Sequence, residues 1–214
     1  MEWIQQVFDF IVNIEGHLTA LIESYGIYIY IILFLILFIE TGLVIAPFLP
    51  GDSLLFAAGA LAAGGNMDIF ILFGVCFLGA FLGNQLNFAI GSGFGKAIFE
   101  REKKFIKIEY LHKTQKFYEK HGGKALIIGR YLPFIRTFVP FVAGVGKMKP
   151  SKFTYFNLVG GLLWVIPVCG IGYLFGNIPF VKENFSIIII AILIVSLFPM
   201  IWGIITAMKH RKNF

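Results

Sequence analysis

The sequence predicts an all-α polytopic membrane protein: two inverted re-entrant hairpins, about four membrane-spanning helices and an N-terminal amphipathic helix. Three observations lead there. First, of 214 residues 58% are hydrophobic and only 14% charged, with a mean hydropathy of +0.83, whereas a soluble domain carries about 25% charged residues. Second, several apolar runs reach the roughly 20 residues that a membrane crossing needs. Third, two of those runs are interrupted by proline, glycine and charge, which a plain spanning helix has no use for.

Residues 1–24 place Ile4, Val7, Phe8, Ile11 and Val12 at helical spacing behind Trp3, with Glu2, Asp9, Glu15 and Glu23 interspersed. That pattern predicts an amphipathic arm at the interface. The runs are too long for a secretory signal and no small-residue cleavage pattern follows, so the N-terminus reads as mature. A single membrane domain is expected over 1–214. Its first half covers 26–91, in which a span from Gly26 carried to about Ala46 precedes a re-entrant segment at 47–63. The turn Gly64-Gly65-Asn66-Met67-Asp68 separates this from a second span at 69–91, rich in glycine and holding Asn84, Gln85 and Asn87. Small residues let helices approach closely, and amides bond across such interfaces.

Residues 96–124 carry nine Lys or Arg against four Glu, interleaved with Phe99, Phe105, Ile106, Ile108, Leu111, Phe117 and Tyr118. They predict a basic amphipathic region on a cytoplasmic membrane face. The second half, 125–208, opens on another re-entrant segment at 125–148. A span over 153–176 follows, then a loop at 177–184 and a last span over 186–208, ending in Lys209-His210-Arg211-Lys212. If the basic loops 96–124, 147–152 and 209–212 are all cytoplasmic, segment 125–148 must dip in and return. Segment 47–63 dips from the opposite face if the first span starts inside, a step for which the acidic N-terminal arm offers no charge support. Both termini are then cytoplasmic. Pro47-Phe48-Leu49 against Pro133-Phe134-Ile135, with Ala58-Gly59 and Ala143-Gly144 following, hints at kinship between the two dips. Inverted repeats with broken helices recur in transporters.

The chemistry sits in the breaks. Pro47, Pro50 and Gly51 interrupt the first apolar run, and Glu40 and Asp52 flank them. Proline removes a donor and clashes with the preceding turn, and broken backbone at membrane depth must be buried or line a polar cavity. A carboxylate near the bilayer centre costs about 2.5–3.5 kcal/mol on insertion scales, so it lines a pathway or pairs with a cation. The second break supplies Arg130 and Arg136 around Pro133. Six residues apart, they fall on opposite faces of a regular helix, but a break at Pro133 lets both turn to one cavity. Arginine's planar fork suits phosphate oxygens. Glu40 and Asp52 are expected to supply counter-charge or to take up a proton for coupled movement. A static set of structural ion pairs and a kinked helix with its acids at headgroup level are the plainer alternatives.

No histidine lies in a span and no HExxH occurs, so neither a His-based lipid phosphatase nor a zinc protease is expected, and the protein reads as a non-enzyme without metal or cofactor. Cys76 and Cys169 lie in apolar runs without metal or redox spacing and read as small hydrophobes. His17, His112 and His121 read as solvated. Trp164, Phe153 and Tyr155 read as packing residues or interface anchors.

The motif Glu40-x-Gly42, Pro47-x-x-Pro50-Gly51-Asp52 resembles the first signature of the DedA membrane proteins, which share the VTT or SNARE-associated domain. Gly129-Arg130, Pro133-x-x-Arg136-Thr137, Pro140, Ala143-Gly144, Phe153, Asn157, Gly160 and Trp164 resemble the second. Together they cover residues 38–176. The resemblance implies two opposed re-entrant hairpins and lipid movement across the bacterial cytoplasmic (inner) membrane, linked to proton-motive force. The implied cargo is undecaprenyl phosphate, or a phospholipid such as phosphatidylethanolamine. It also implies that Glu40, Asp52, Arg130 and Arg136 form the functional set. Thr137 and Asn84 are expected beside the substrate, with Gly42, Pro47, Pro50, Gly51, Pro133, Pro140 and Gly144 shaping the re-entrant backbone. Many relatives carry an acid where this chain has Asn84, and an Arg near Ser92. The expected partners are the lipid and the bilayer, with a homo-oligomer allowed and no nucleic acid. A cargo-free membrane-organising factor is the alternative of a different class.

Overall fold

In the computed structural model, residues 24–43, 51–65, 67–100, 116, 120–132, 135–192 and 194 are described, with the side chains of 94–100 excepted. Among them every regular element is helical. In chain order these are α1 (Tyr28–Gly42), α2 (Gly51–Ala63), α3 (Ile69–Glu100), α4 (Ala125–Ile128), α5 (Ile135–Val145), α6 (Pro150–Phe175), α7 (Pro179–Glu183) and α8 (185–192). Single 3-10 turns precede and follow α4, at Gly122–Lys124 and Gly129–Tyr131. Two described helices are long and apolar enough to cross a membrane, α3 over Ile69–Gly93 and α6 over its whole length. α1, α2 and α5 are shorter.

Helix α3 is the axis of the fold: α1, α5 and α6 all pack on it, and α2 packs on α6. Its start is fixed by Asp68, whose Oδ1 accepts from the backbone N–H of Phe70 at 2.8 Å and of Ile71 at 2.9 Å. This is a side-chain N-cap, and the Asp68 N–H in turn donates to Tyr30 Oη at 2.8 Å. The helix then runs to Glu100, nine residues past the expected end at 91. Gly91, Gly93 and Gly95 weaken it by about 1 kcal/mol each relative to alanine, but no proline terminates it. The other boundaries shift less. α1 stops at Gly42 with Leu43 extended, before the expected break at Pro47. α6 begins at Pro150, a residue type suited to the first helical position. The loop expected at 177–184 holds the short α7. The arm at 1–23, most of the basic region 101–119, Pro47, Pro50 and Pro133, and the end of the last span lie outside the described residues.

Two crossings repeat the same contacts. Where α2 meets α6, a Cβ added at Gly172 would run into the carbonyl of Phe56, and one at Gly59 into the carbonyl of Cys169. Where α5 meets α3, a Cβ at Gly91 would run into the carbonyl of Phe141, and one at Gly144 into that of Phe88. In each case a Phe-x-x-Gly pair on the short helix locks with a glycine on the long one. Glycine is required because the two backbones touch. The α1–α3 crossing uses Gly79, whose Cβ would lie 2.8 Å from the Phe34 carbonyl, and Gly83, whose Cβ would lie 2.7 Å from that of Phe38.

One buried cluster gathers Leu37, Leu55, Leu72, Cys76, Val165, Cys169 and Ile189; a second gathers Phe88, Leu126, Val139 and Phe153. In the second, Phe88 and Phe153 stack with ring centroids 4.1 Å apart. Outside, α3 and α6 expose Phe70, Leu78, Leu82, Leu86, Leu158, Leu162, Leu163 and Ile166. An apolar exterior this extensive on the two long helices belongs in lipid.

Candidate functional site

The charged residues converge. Arg136, in the first turn of α5, donates through Nη1 to Asp52 Oδ2 at 3.0 Å and through Nη2 to Glu40 Oε1. Asp52 stands in the first turn of α2 and Glu40 two residues before the end of α1. One guanidinium thus ties three helices. A cation at a helix N-terminus works against the macrodipole, whereas a carboxylate there is favoured, each by about 0.3–1 kcal/mol. Arg136 therefore depends on its acids, while Asp52 sits where the helix welcomes it. Glu40 is fully buried and its carboxylate occupies the space a side chain at Gly51 would need.

Arg130 is held differently. Its residue is 5% exposed, and its Nη2 donates to Asn157 Oδ1 at 2.7 Å. Among the described residues no carboxylate lies within ion-pairing distance of it. Gly160 makes room for it on α6, since a Cβ there would sit 3.2 Å from Arg130 Nε. The neighbouring Tyr131 donates its hydroxyl to the carbonyl of Leu163 at 2.5 Å. That acceptor exists because Pro167, four residues on, has no N–H to give it. The proline in α6 thereby creates the anchor point for the segment bearing Arg130.

Asparagines complete the frame. Asn157 is fully buried; its Oδ1 also accepts from Asn84 Nδ2 at 3.1 Å, and its Nδ2 donates to the Phe81 carbonyl at 3.0 Å. Asn87 donates to two carbonyls, Thr41 at 3.0 Å and Thr137 at 2.8 Å, fastening the end of α1 and the start of α5 to the same point of α3. Trp164 donates Nε1–H to Asp52 Oδ1 at 2.8 Å.

Two cavities meet here. A groove of about 300 Å³ is lined by Asp52, Arg130, Arg136 and Trp164 at its polar end and by Phe56, Val168, Ile171 and Ile192 elsewhere. A small cavity of about 10 Å³, room for about one water, is bounded by Glu40, Thr41, Asn84, Arg130, Arg136, Thr137 and Trp164. Among the described residues no group of three or more His, Cys, Asp or Glu side chains is placed to hold a metal.

The structure thus brings together Glu40, Asp52, Arg130, Arg136, Thr137 and Asn84. Gly42 lies at the α1–α3 contact, where a Cβ would sit 3.3 Å from the Gly83 carbonyl, and Gly144 lies at the α5–α3 crossing. Pro140 lies inside α5 and does not end it; the missing N–H leaves the Arg136 carbonyl without its in-helix donor. Sequence reasoning passed over Asn157 and Trp164 as site residues, because an asparagine in a span reads as interhelical glue and a tryptophan as an anchor. Their spacing along one face of α6, Asn157, Gly160, Gly161 and Trp164, was the available signal.

The VTT domain family matches residues 49–174. Over 99% of its length the chain is 45% identical to Protein DedA of Escherichia coli K12, covering 97% of that protein. The chain belongs to the DedA family. It is 45% identical over 77% of its length to an uncharacterized membrane protein of Mycobacterium leprae, covering 74% of that protein. To the inner membrane protein YghB of E. coli K12 it is 36% identical over 82% of its length, covering 78% of YghB. No solved structure matches it. The DedA assignment makes this an integral membrane protein, as its apolar exterior requires, and places the four charges within the matched domain or, for Glu40, just ahead of it.

Proposed function

We propose that this DedA protein is a flippase of the bacterial cytoplasmic membrane that moves a lipid phosphate, with undecaprenyl phosphate as the cargo. The observation that carries the reading is Arg130: a buried cation with a neutral asparagine as partner, at the polar end of a groove whose other walls are apolar. A buried charge with no ion-pair partner among the described residues is costly, and an anion entering the groove would supply a counter-charge. Phosphate oxygens fit a guanidinium fork, and the N-terminus of α5 adds a dipole of the right sign. The lipid chain follows Phe56, Val168, Ile171 and Ile192 toward the bilayer.

In this reading the short helices α2 and α5 are the inner arms of two re-entrant hairpins, about four helices span the membrane, and both termini are cytoplasmic. Glu40 and Asp52 share Arg136 with the arriving phosphate, and proton uptake by one of them, driven by the proton-motive force, frees the guanidinium for cargo. The residues perform transport and no covalent chemistry. Proteoliposomes test this. Saturable flipping of undecaprenyl phosphate, stimulated by an inward proton gradient and lost in Arg136→Ala that still inserts and folds, is expected. Movement of phosphatidylethanolamine instead, indifferent to the gradient, would make the protein a scramblase. Absence of any lipid movement would leave a membrane-organising factor.

A further inference from the structure

One residue touches Asp52, Arg130 and Arg136 alike and has no part in the reading above: Trp164. It is 2% exposed, on α6, where it faces both cavities. The guanidinium carbons of Arg130 and Arg136 lie 5.8 Å and 5.7 Å from its ring centroid. Its Nε1–H holds Asp52 Oδ1 at 2.8 Å while Arg136 holds the other oxygen.

Each contact has a physical consequence. Two guanidinia drawn to one ring repel each other, and the negative face of the indole offsets part of that repulsion. The ring therefore lets two cations share a site in which, among the described residues, only Arg136 has acid partners. The N–H matters separately. Asp52 is the more accessible carboxylate, its side chain 27% exposed against none for Glu40, and it lines the groove whereas Glu40 lines the small cavity. A carboxylate so placed competes with an incoming phosphate for Arg136. The indole N–H holds Asp52 to one side and keeps it from closing over Arg130 as well.

We propose that Trp164 is the positioning residue of the anion site: its ring face pairs Arg130 with Arg136, and its Nε1–H fixes Asp52 so that an anion can reach both arginines from the groove. This rests on the lipid-phosphate reading above and adds a role that packing alone does not give. A core tryptophan would be replaced by phenylalanine or leucine at a cost in stability only. This one should separate the two contacts. Trp164→Phe keeps an aromatic face and loses the N–H, whereas Trp164→Leu loses both.

The test uses the full chain in nanodiscs. Tryptophan occurs three times, at 3, 164 and 202, so a Trp3→Phe, Trp202→Phe background leaves Trp164 as the sole indole. Farnesyl phosphate is titrated against farnesol, following Trp164 emission and, in parallel, heat of binding. The phosphate ester should change the emission saturably and farnesol should not. Trp164→Phe should weaken calorimetric binding several-fold, and Trp164→Leu on the order of tenfold or more, the scale of a desolvated cation–π contact. Binding by Trp164→Leu within twofold of the parent would overturn the proposal. So would unchanged Trp164 emission while the parent binds by heat, a readout that needs no variant at 164 to fold. In both cases the lipid-phosphate reading survives. If the parent binds neither compound, that reading fails and the role of Trp164 goes with it.

Discussion

The α2–α6 and α5–α3 crossings are built alike and charged unlike. Phe56 and Gly59 meet Gly172 and Cys169 in one; Phe141 and Gly144 meet Gly91 and Phe88 in the other. Aligning the two short helices on these pairs places Gly51 opposite Arg136 and Asp52 opposite Thr137. At the first of these positions the chain has no side chain, because the Glu40 carboxylate fills that space. At the equivalent position it has the arginine that neutralises that same carboxylate. Common backbone packing brings the two helix starts together, and the difference in side chains makes the junction a site. The lesson is that glycines set the geometry while the unequal residues 51, 52, 136 and 137 set the chemistry.

The sharpest way to break this comparison is to put side chains at the crossings. Gly91→Val and Gly172→Val each force a Cβ into a backbone carbonyl, which cannot swing aside, so each should cost at least about 3 kcal/mol. Thermal unfolding in detergent should show comparable losses. If one is tolerated and the other not, the crossings are not equivalent.

Next come the arginines, which the account distinguishes. Arg136→Ala strands the buried Glu40 and should cost about 3–5 kcal/mol, whereas Arg130→Ala gives up the bond to Asn157 but also removes a buried cation without an acid partner, so it should cost clearly less. Adding Glu40→Gln should restore much of the stability of the Arg136 variant without restoring flipping. Equal stability losses for the two single variants, or no rescue by Glu40→Gln, would contradict the uneven pairing.

A smaller effect concerns the segment that carries Arg130. Tyr131→Phe should cost about 1 kcal/mol by losing the bond to Leu163. In a Pro167→Ala background, where a backbone N–H again reaches that carbonyl, the cost should shrink. A double-mutant cycle reads the coupling directly, and strict additivity would show that the proline plays no part. Smallest and most local, Asp68→Ala should cost about 1 kcal/mol through loss of the α3 cap, with flipping by the folded protein unchanged.

Much of the site was legible because charge in an apolar run is expensive and therefore conspicuous. Glu40, Asp52, Arg130 and Arg136 stand out in the sequence for that reason alone, and the kinship of Ala58-Gly59 with Ala143-Gly144 pointed to the paired crossings. Less was legible where one residue type serves two purposes. Pro140 and Pro167 both sit inside helices, where each leaves a carbonyl without its in-helix donor. Asn157, Asn87 and Trp164 owe their roles to groups far away in sequence: Arg130, the Thr41 and Thr137 carbonyls, and Asp52. Local pattern does not encode those partners. The length of α3 was missed because its glycines look like an ending, and only packing decides that they are not.

The central claim is that Arg130 awaits an anion that no carboxylate among the described residues supplies. The measurement that tests it most directly is the affinity of wild type and Arg130→Gln for undecaprenyl phosphate and undecaprenol in nanodiscs. The account predicts that wild type prefers the phosphate by tenfold or more, the scale of one charged hydrogen-bonded contact, and that Arg130→Gln, still folded, loses that preference. Equal binding of phosphate and alcohol by wild type, or an undiminished preference in the variant, would contradict it.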